Sequence, residues 1–261
     1  MVYQGSKARL RKDLLPILQG CIVKNKVDTY IEPFVGGANM IDHIRCKTRI
    51  GSDINEELIA LLQYMQKDPL LSIAPDDCSF EHYTEVRENR KNKTGKYSAE
   101  YTALIGYFAS YGGRYFSGGY GRDSKGGRCI YTERLANARK QAPLLKRIQF
   151  FCRDYKGYKD VKNAVIYLDP PYKGTKEYVK SSMDYEVFYS FARQLAYDNY
   201  VFISEFSMPD DFICIWSKEK KLLQKSDRKM GKVAVEKLYT IGLSAKWIKN
   251  KEKIQEENYE V

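Results

Sequence analysis

Asp169-Pro170-Pro171-Tyr172 stands directly after an apolar run at residues 164–168. Two consecutive prolines hold φ at about −65° and remove two amide donors, so the chain leaves the run stiffly and its carbonyls meet no competing local donor. A carboxylate, a rigid carbonyl and an aromatic face are thereby presented together. That set suits an amino group on a planar base: Asp169 and the Pro170 carbonyl accept hydrogen bonds from an exocyclic amine while Tyr172 stacks on the ring. The competing reading is a surface Pro-Pro turn. A second constellation lies upstream, where Glu32-Pro33-Phe34-Val35-Gly36-Gly37 closes another apolar run. Glycines at the carboxyl end of a strand let a ligand approach the backbone, and an acidic side chain after the next strand can hold ribose hydroxyls. Asp53 has that place, 17 residues beyond Gly36. The turn is not G-x-G-x-x-G, and a lone V-G-G turn is also a common structural device; together with Asp53 it points to ligand binding.

The elements that must position these residues are legible from periodicity. Residues 8–19 carry Leu10, Leu14, Leu15 and Leu18 on one helical face closed by Gly20. Residues 27–31 read as a strand, Gly36-Gly37 as a tight turn, and a helix is expected to start near Ala38. Residues 48–52 give a second strand ending at Asp53, after which Asn55 can cap a helix bearing Leu58, Ile59, Leu61 and Leu62. Two strands that each lead into a helix indicate an α/β sheet. From 68 to 147 the pattern turns helical, near 79–91, 97–111 and 132–147, with a polar loop and no strand alternation. Strand-like runs resume at 148–152, 164–169 and 200–206, the last preceded by a helix at 186–197 and followed by 212–216 and 238–244 as an antiparallel edge. The expected fold is therefore a Rossmann-like, mostly parallel α/β domain at 1–67 and 148–261, interrupted by a mainly helical insertion at 68–147. The polar stretch from Trp247 is expected to fray.

Lysine and arginine number 44 against 33 aspartates and glutamates, a formal net charge of +11 that favours an anionic partner such as nucleic acid or a membrane surface. No stretch approaches the roughly 20 consecutive apolar residues of a bilayer span, and MVYQGSKARLRK lacks a signal-peptide core, so a cytoplasmic protein without membrane attachment is expected. The six cysteines stand apart without a C-x-x-C pair, and His43 and His82 are isolated, so no metal site is expected. Lys218-Glu219-Lys220-Lys221 reads as a solvated face.

Asp169-Pro170-Pro171-Tyr172, Glu32-Pro33-Phe34-Val35-Gly36-Gly37 and Ser52-Asp53-Ile54-Asn55, in that arrangement around a long insertion, resemble the motifs of Dam-type, class alpha DNA N6-adenine methyltransferases. Tyr3-Gln4-Gly5-Ser6-Lys7 resembles the same family's N-terminal cofactor motif, so the resemblance covers nearly the whole chain. It implies S-adenosylmethionine as methyl donor, with cofactor contacts from Tyr3, Lys7, Asp53 and Asp169, and with Phe34, Gly36 and Gly37 lining the pocket. Asp154 resembles an acidic residue that some relatives place near the cofactor's adenine. Asp169, Pro170, Pro171 and Tyr172 are the implied catalytic motif, and the aspartate form of that motif implies adenine.

Within the insertion, residues 106–128 hold eight of the 18 glycines, six aromatic residues and four basic residues against Asp123 alone. Glycines permit close approach to a phosphate backbone, arginines pair with phosphates or guanine edges, and aromatics wedge where a base leaves the helix. Arg114, Tyr115, Tyr120, Arg122, Lys125 and Arg128 are accordingly the expected DNA contacts; the bland alternative is a surface loop whose tyrosines pack locally. Relatives of the Dam type carry an R-Y-N core here, whereas this chain has Gly113-Arg114-Tyr115-Phe116, so their GATC target does not transfer. Ser204-Glu205-Phe206 is expected to brace the target pocket. The resulting expectation is a site-specific methyltransferase acting on a flipped-out adenine of double-stranded DNA, a monomer or weak dimer, with a restriction endonuclease as a possible partner. Its rivals are a silent basic nucleic-acid-binding module and an RNA or protein amine methyltransferase.

Overall fold

The computed structural model describes residues 1–122, 129–172, 183–221 and 233–249. The chain divides into two compact units, Met1–Leu15 with Val35–Asp154 and Pro16–Phe34 with Tyr155–Val261. Helix α1 (Arg11–Lys24) contains the boundary, at Pro16.

Strand β1 (Thr29–Glu32) belongs to the second unit; in the first, β2 (Thr48–Asp53) runs parallel to β3 (Ile148–Cys152), with Asp53 opposite Cys152. Helix α2 (Glu56–Lys67) starts where the Asn55 side chain accepts from the Leu58 amide at 3.0 Å, the N-cap bond that its residue type favours. Its apolar stripe, Leu58, Ile59, Leu61, Leu62 and Met65, is buried. Two glutamines of α2 reach β3 and the turn before it: Gln63 donates to the Phe150 carbonyl at 2.9 Å, and Gln66 to the carbonyls of Leu145 and Ile148. Helices α3 (Phe80–Asn92), α4 (Ala99–Phe108) and α5 (Ile130–Gln141) follow, the first two capped by Ser79 and Ser98. Among the described residues, the regular elements between 68 and 147 are thus helices, joined by turns and loops. Helix α4 is buried over Thr102–Phe108, as a helix apolar on all sides must be. Its last carbonyls find a donor in Arg134 of α5, whose buried guanidinium bonds the carbonyls of Tyr107, Phe108 and Ser110.

One expected helix is absent. After Gly36-Gly37 the chain makes only a short 3-10 turn at Ile41–His43. Ala38 lies in the left-handed region at φ 55°, and Gln141 donates to the carbonyls of Gly37 and Ala38 at 3.1 and 3.2 Å, taking acceptors that a helix would use. Sequence periodicity cannot register a partner about a hundred residues away.

The second unit holds β1 (Thr29–Glu32), β4 (Ala164–Leu168), β5 (Tyr200–Glu205), β6 (Ile213–Lys221) and β7 (Val233–Gly242). Strands β1, β4 and β5 are parallel; β7 pairs antiparallel with β5 and β6 with β7, so the expected antiparallel edge is present. All five residues of β4 are buried, the pattern of a parallel strand covered on both faces. Helix α6 (Tyr185–Leu195) buries Phe188, Tyr189, Phe191, Ala192 and Leu195 and is capped by Asp184. Buried Asn199 then joins the turn to the sheet, donating to the Leu195 carbonyl and accepting from the Ala164 amide at the start of β4. Among the described residues no helix is long and apolar enough to cross a membrane.

Candidate functional site

In the first unit, Asp53 ends β2 with its carboxylate fixed by two amides: Asn55 N–H donates to Oδ1 at 3.0 Å and Gly36 N–H to Oδ2 at 3.3 Å. The Val35 amide donates to the Ser52 carbonyl at 2.8 Å, so the glycine turn is sewn to the end of β2. Burial raises the Asp53 pKa above its ordinary 3.8, while the bonds from Asn55, Gly36 and Ile54 pull it back. An ionised carboxylate offers about four lone-pair sites, so acceptor capacity remains beyond these amides. A vicinal diol, with one donor for each oxygen, fits that donor and acceptor set.

Tyr3 closes over the same turn. Gly36 lies at φ 47°, and a Cβ built there would stand 2.7 Å from Tyr3 Cε1. A Cβ on Gly37 would meet Tyr3 Cβ, also at 2.7 Å. The glycines are thus required by the ring lying against them. Lys7 is buried and its Nζ donates to the Gly5 carbonyl at 3.2 Å. The structure therefore brings Tyr3, Gly36, Gly37 and Asp53 together, with Lys7 in the adjoining turn. Asp154 is exposed just beyond β3, next to Arg153, whose amide donates to the Asp53 carbonyl at 3.0 Å.

In the second unit Phe34 stacks on Tyr155, with ring centroids 5.3 Å apart, and meets Phe188 edge-on at 6.1 Å. Tyr155 was not singled out by sequence; only the aromatic repeat in Tyr155-Lys156-Gly157-Tyr158 marked it. Asp169-Pro170-Pro171-Tyr172 leaves the end of β4, and the residues that follow, 173–182, lie outside the described residues. The motif is held at two points. The Tyr185 hydroxyl donates to the Pro171 carbonyl at 2.6 Å, and the Tyr172 hydroxyl donates to Glu236 Oε2 at 2.9 Å. Phe206 stands across the Tyr172 ring, 4.6 Å between centroids and 84° between planes.

This part of the second unit is rich in buried acid. Glu32, Glu205 and Glu236 are buried at the ends of β1 and β5 and within β7. Tyr30 donates to Glu32 at 2.7 Å, and Tyr167 shares a 2.6 Å hydrogen bond with Ser204. Burial first, then nearby carboxylates including Asp169, push the phenols of Tyr30, Tyr167 and Tyr172 well above 10, so these rings stay neutral donors. Glu205 accepts from the Phe206 amide at 2.7 Å, so Ser204-Glu205-Phe206 does reach the neighbourhood of Tyr172 through its phenylalanine.

Residues 109–121 of the glycine-rich segment form a closed loop. Tyr111 N–H bonds the Gly119 carbonyl and Gly121 N–H the Ala109 carbonyl, at 2.8 and 2.7 Å, while Ser110 pairs with Tyr120 in a short bridge. Tyr115 is packed inward: its ring stacks on Tyr107 at 4.6 Å and its hydroxyl is engaged by Glu57 and by Arg90. A Cβ on Gly106 would lie 2.5 Å from that ring, which explains a glycine inside α4. The Tyr120 hydroxyl bonds the Cys78 carbonyl at 2.5 Å. Arg114 is exposed, and so is Arg122, whose guanidinium lies over the rings of Phe80 and Tyr120 at 5.0 and 5.5 Å. Lys125 and Arg128 lie outside the described residues.

Residues 3–199 match the family model of the D12 class N6 adenine-specific DNA methyltransferase. The chain is 26% identical over 194 residues to the Type II methyltransferase M.FokI of Planomicrobium okeanokoites, covering 65% of this chain and 28% of that protein. It is 28% identical over 199 residues to the Type II methyltransferase M.MjaIII of Methanocaldococcus jannaschii, covering 66% of this chain and 68% of that one. The chain thus spans less than a third of the first relative and about two thirds of the second. A solved structure titled conserved hypothetical protein, from Streptococcus pyogenes, aligns over 82% of this chain and 85% of its own at 9% identity, with a TM-score of 0.32, too low to bear on the fold.

Proposed function

The chain belongs to the D12 class N6 adenine-specific DNA methyltransferase family, and from that premise we propose that it methylates the N6 of an adenine drawn out of double-stranded DNA, with S-adenosylmethionine as donor. When bound, that donor supplies an electrophilic methyl group on a sulfonium. Asp53 would hold its ribose diol, the acceptor pair described above being matched to two adjacent hydroxyls. Tyr3, Lys7, Gly36 and Gly37 of the first unit would line its place, with Asp154 toward its adenine. Phe34 and Asp169, which belong to the second unit, are counted as cofactor contacts on the family resemblance.

Asp169 and the Pro170 carbonyl accept the two hydrogens of the target amine. This turns the nitrogen lone pair out of the ring plane and aligns it for in-line attack. The observation that carries the reading is the way the motif is held. Tyr185 takes the Pro171 carbonyl, so Pro170 supplies the second acceptor, and Glu236 holds the hydroxyl of Tyr172, the ring on which the base stacks. As the amine gains positive charge, buried Glu32 and Glu205 in the same unit favour it electrostatically. Asp169 accepts the proton that the methylated amine releases. Extrusion is needed because the amine is otherwise occupied in base pairing.

The segment at 68–147 is read as the DNA-recognition part, with Arg114, Tyr120 and Arg122 presented by the closed loop, Lys125 and Arg128 beyond it, and Tyr115 serving from within as its frame. The +11 charge supports the anionic partner. Both relatives carry "Type II" in their names, which supports a cognate restriction endonuclease as partner and a cytoplasmic setting with the DNA. The test is to incubate the protein with methyl-labelled donor and, separately, unmethylated genomic DNA, RNA and protein. Label is expected in N6-methyladenine of DNA only, and Asp169→Ala should lower the rate at least about 100-fold, the scale of lost alignment, with little change in thermal unfolding. Label in cytosine, RNA or protein, or a wild-type rate in Asp169→Ala, would refute the assignment.

A further inference from the structure

We infer that Glu236, on the antiparallel edge strand β7, is a positioning residue for Tyr172: its carboxylate fixes the ring against which the target base is read. The inference rests on the reading of Tyr172 as the stacking face, but the geometry behind it does not. Along β7, Glu236, Leu238 and Thr240 alternate onto one face and are 5%, 0% and 0% exposed. A glutamate in that series is buried where its neighbours are buried, and a carboxylate is rarely taken from water without a partner. The Tyr172 hydroxyl donates to it at 2.9 Å.

Register explains how an edge strand reaches the motif. Strand β5 ends at Glu205, whose partner on β7 is Lys237, so Glu236 is the first β7 residue past the paired end of β5. Strand β4 is in step, with Leu168 opposite Ile203, and Asp169 leaves the sheet at that same carboxyl end. A second side chain of β7 assists: the Tyr239 hydroxyl donates to the Phe206 carbonyl at 3.3 Å, and the Phe206 ring is the one set across Tyr172. The phenol is thus held at its tip by Glu236 and at its face by a residue that β7 also holds. A tyrosine ring moves by swinging its hydroxyl end, and the carboxylate removes that motion. Glu236 lies beyond residues 3–199, the span matched to the family, so nothing in the family comparison assigns it a role.

The test is a mutant cycle on methyl transfer to unmethylated genomic DNA. Glu236→Gln keeps an oxygen acceptor and should stay within about threefold of the parent, because a neutral acceptor can still receive the phenol proton. Glu236→Leu and Tyr172→Phe, which break the bond from either end, should each lower the single-turnover rate about tenfold while leaving the dissociation constant for S-adenosylmethionine unmoved, and KM for DNA should change less than kcat. The double variant should be no slower than the slower single. Losses that multiply in the double variant, or a wild-type rate in Glu236→Leu, overturn the inference. Should Glu236→Leu fail to fold, the Tyr172→Phe and Glu236→Gln arms decide: a wild-type rate in the first, or a rate in the second as low as in the first, overturns it. A parent protein that methylates no adenine overturns the function reading and this inference together; an active parent whose variants do not couple overturns this inference alone.

Discussion

Replacing Gly36 by alanine separates the two demands that the glycine turn makes on the chain. The first is conformational. Gly36 sits at φ 47°, where an L side chain costs roughly 1–2 kcal/mol. The second is steric: the new Cβ would lie 2.7, 3.0 and 3.2 Å from Cε1, Cδ1 and Cζ of Tyr3. Forcing a methyl into such a contact costs typically about 1–3 kcal/mol. The expected loss is therefore about 2–5 kcal/mol, or roughly 5–15 °C in Tm for a protein of this size. Gly95 supplies the internal control, since it too has positive φ, 73°, but nothing within 4 Å of a built Cβ. Gly95→Ala should show the conformational part alone, about 1–2 kcal/mol. In a Tyr3→Ala background, Gly36→Ala should fall to the same figure, because the three atoms nearest the new Cβ all belong to the Tyr3 ring. Differential scanning calorimetry of the four variants, with titration of S-adenosylmethionine into each folded one, measures both stability and cofactor affinity. Equal losses at Gly36 and Gly95, or no coupling between positions 36 and 3, would refute the close approach of Tyr3 to the turn.

Asp53→Asn should weaken S-adenosylmethionine binding by about 1.5–3 kcal/mol, the worth of hydrogen bonds to a charged group, and should lower folding stability as well, since its single oxygen cannot serve the amides of both Asn55 and Gly36. The pH dependence follows from burial, which raises the folded pKa of Asp53 above 3.8. For an acid so shifted, the fold disfavours the ionised form above that pKa, and the penalty vanishes as pH falls. Cofactor affinity, which needs the carboxylate, should consequently begin to drop while the pH is still above 3.8, and calorimetric titration from neutral pH downward checks it. Arg122→Ala should lower affinity for every DNA sequence and flatten the log–log salt dependence by about 0.9 for each phosphate that the guanidinium neutralises. Arg114→Ala should instead relax base choice at one position, at a cost of roughly 1–3 kcal/mol on the cognate site; unchanged slope and unchanged methylation pattern in both variants would remove the loop from recognition.

What the sequence disclosed and what it hid divide along the range of the interactions. The apolar run ending at Asp169 and the Asn55 cap are local signals, and each lies where its residue type requires. The glycine turn was legible for the same reason, but not its sequel, because Gln141 takes the carbonyls that would have begun a helix. Tyr115 looked like a surface aromatic among glycines; only the fold shows its ring on Tyr107 and its hydroxyl beside Glu57 and Arg90. Glu236 was invisible. In a strand one glutamate reads as the solvent-facing half of an alternation, and nothing local announces a phenol 64 residues earlier.

The guanidinium of Arg134 has a consequence for how new specificities arise. By bonding the carbonyls of Tyr107, Phe108 and Ser110, it closes the end of α4 from within the protein. Fixing a residue's backbone costs about 1–2 kcal/mol, and here folding has already met that cost before any ligand arrives. Arg114 and Arg122, if they meet DNA as proposed, would then follow a helix end whose carbonyls are bonded by another residue. Substitutions at those two positions can explore other base sequences without each trial having to rebuild the scaffold. A lineage can thereby change what it reads while keeping how it holds the reader.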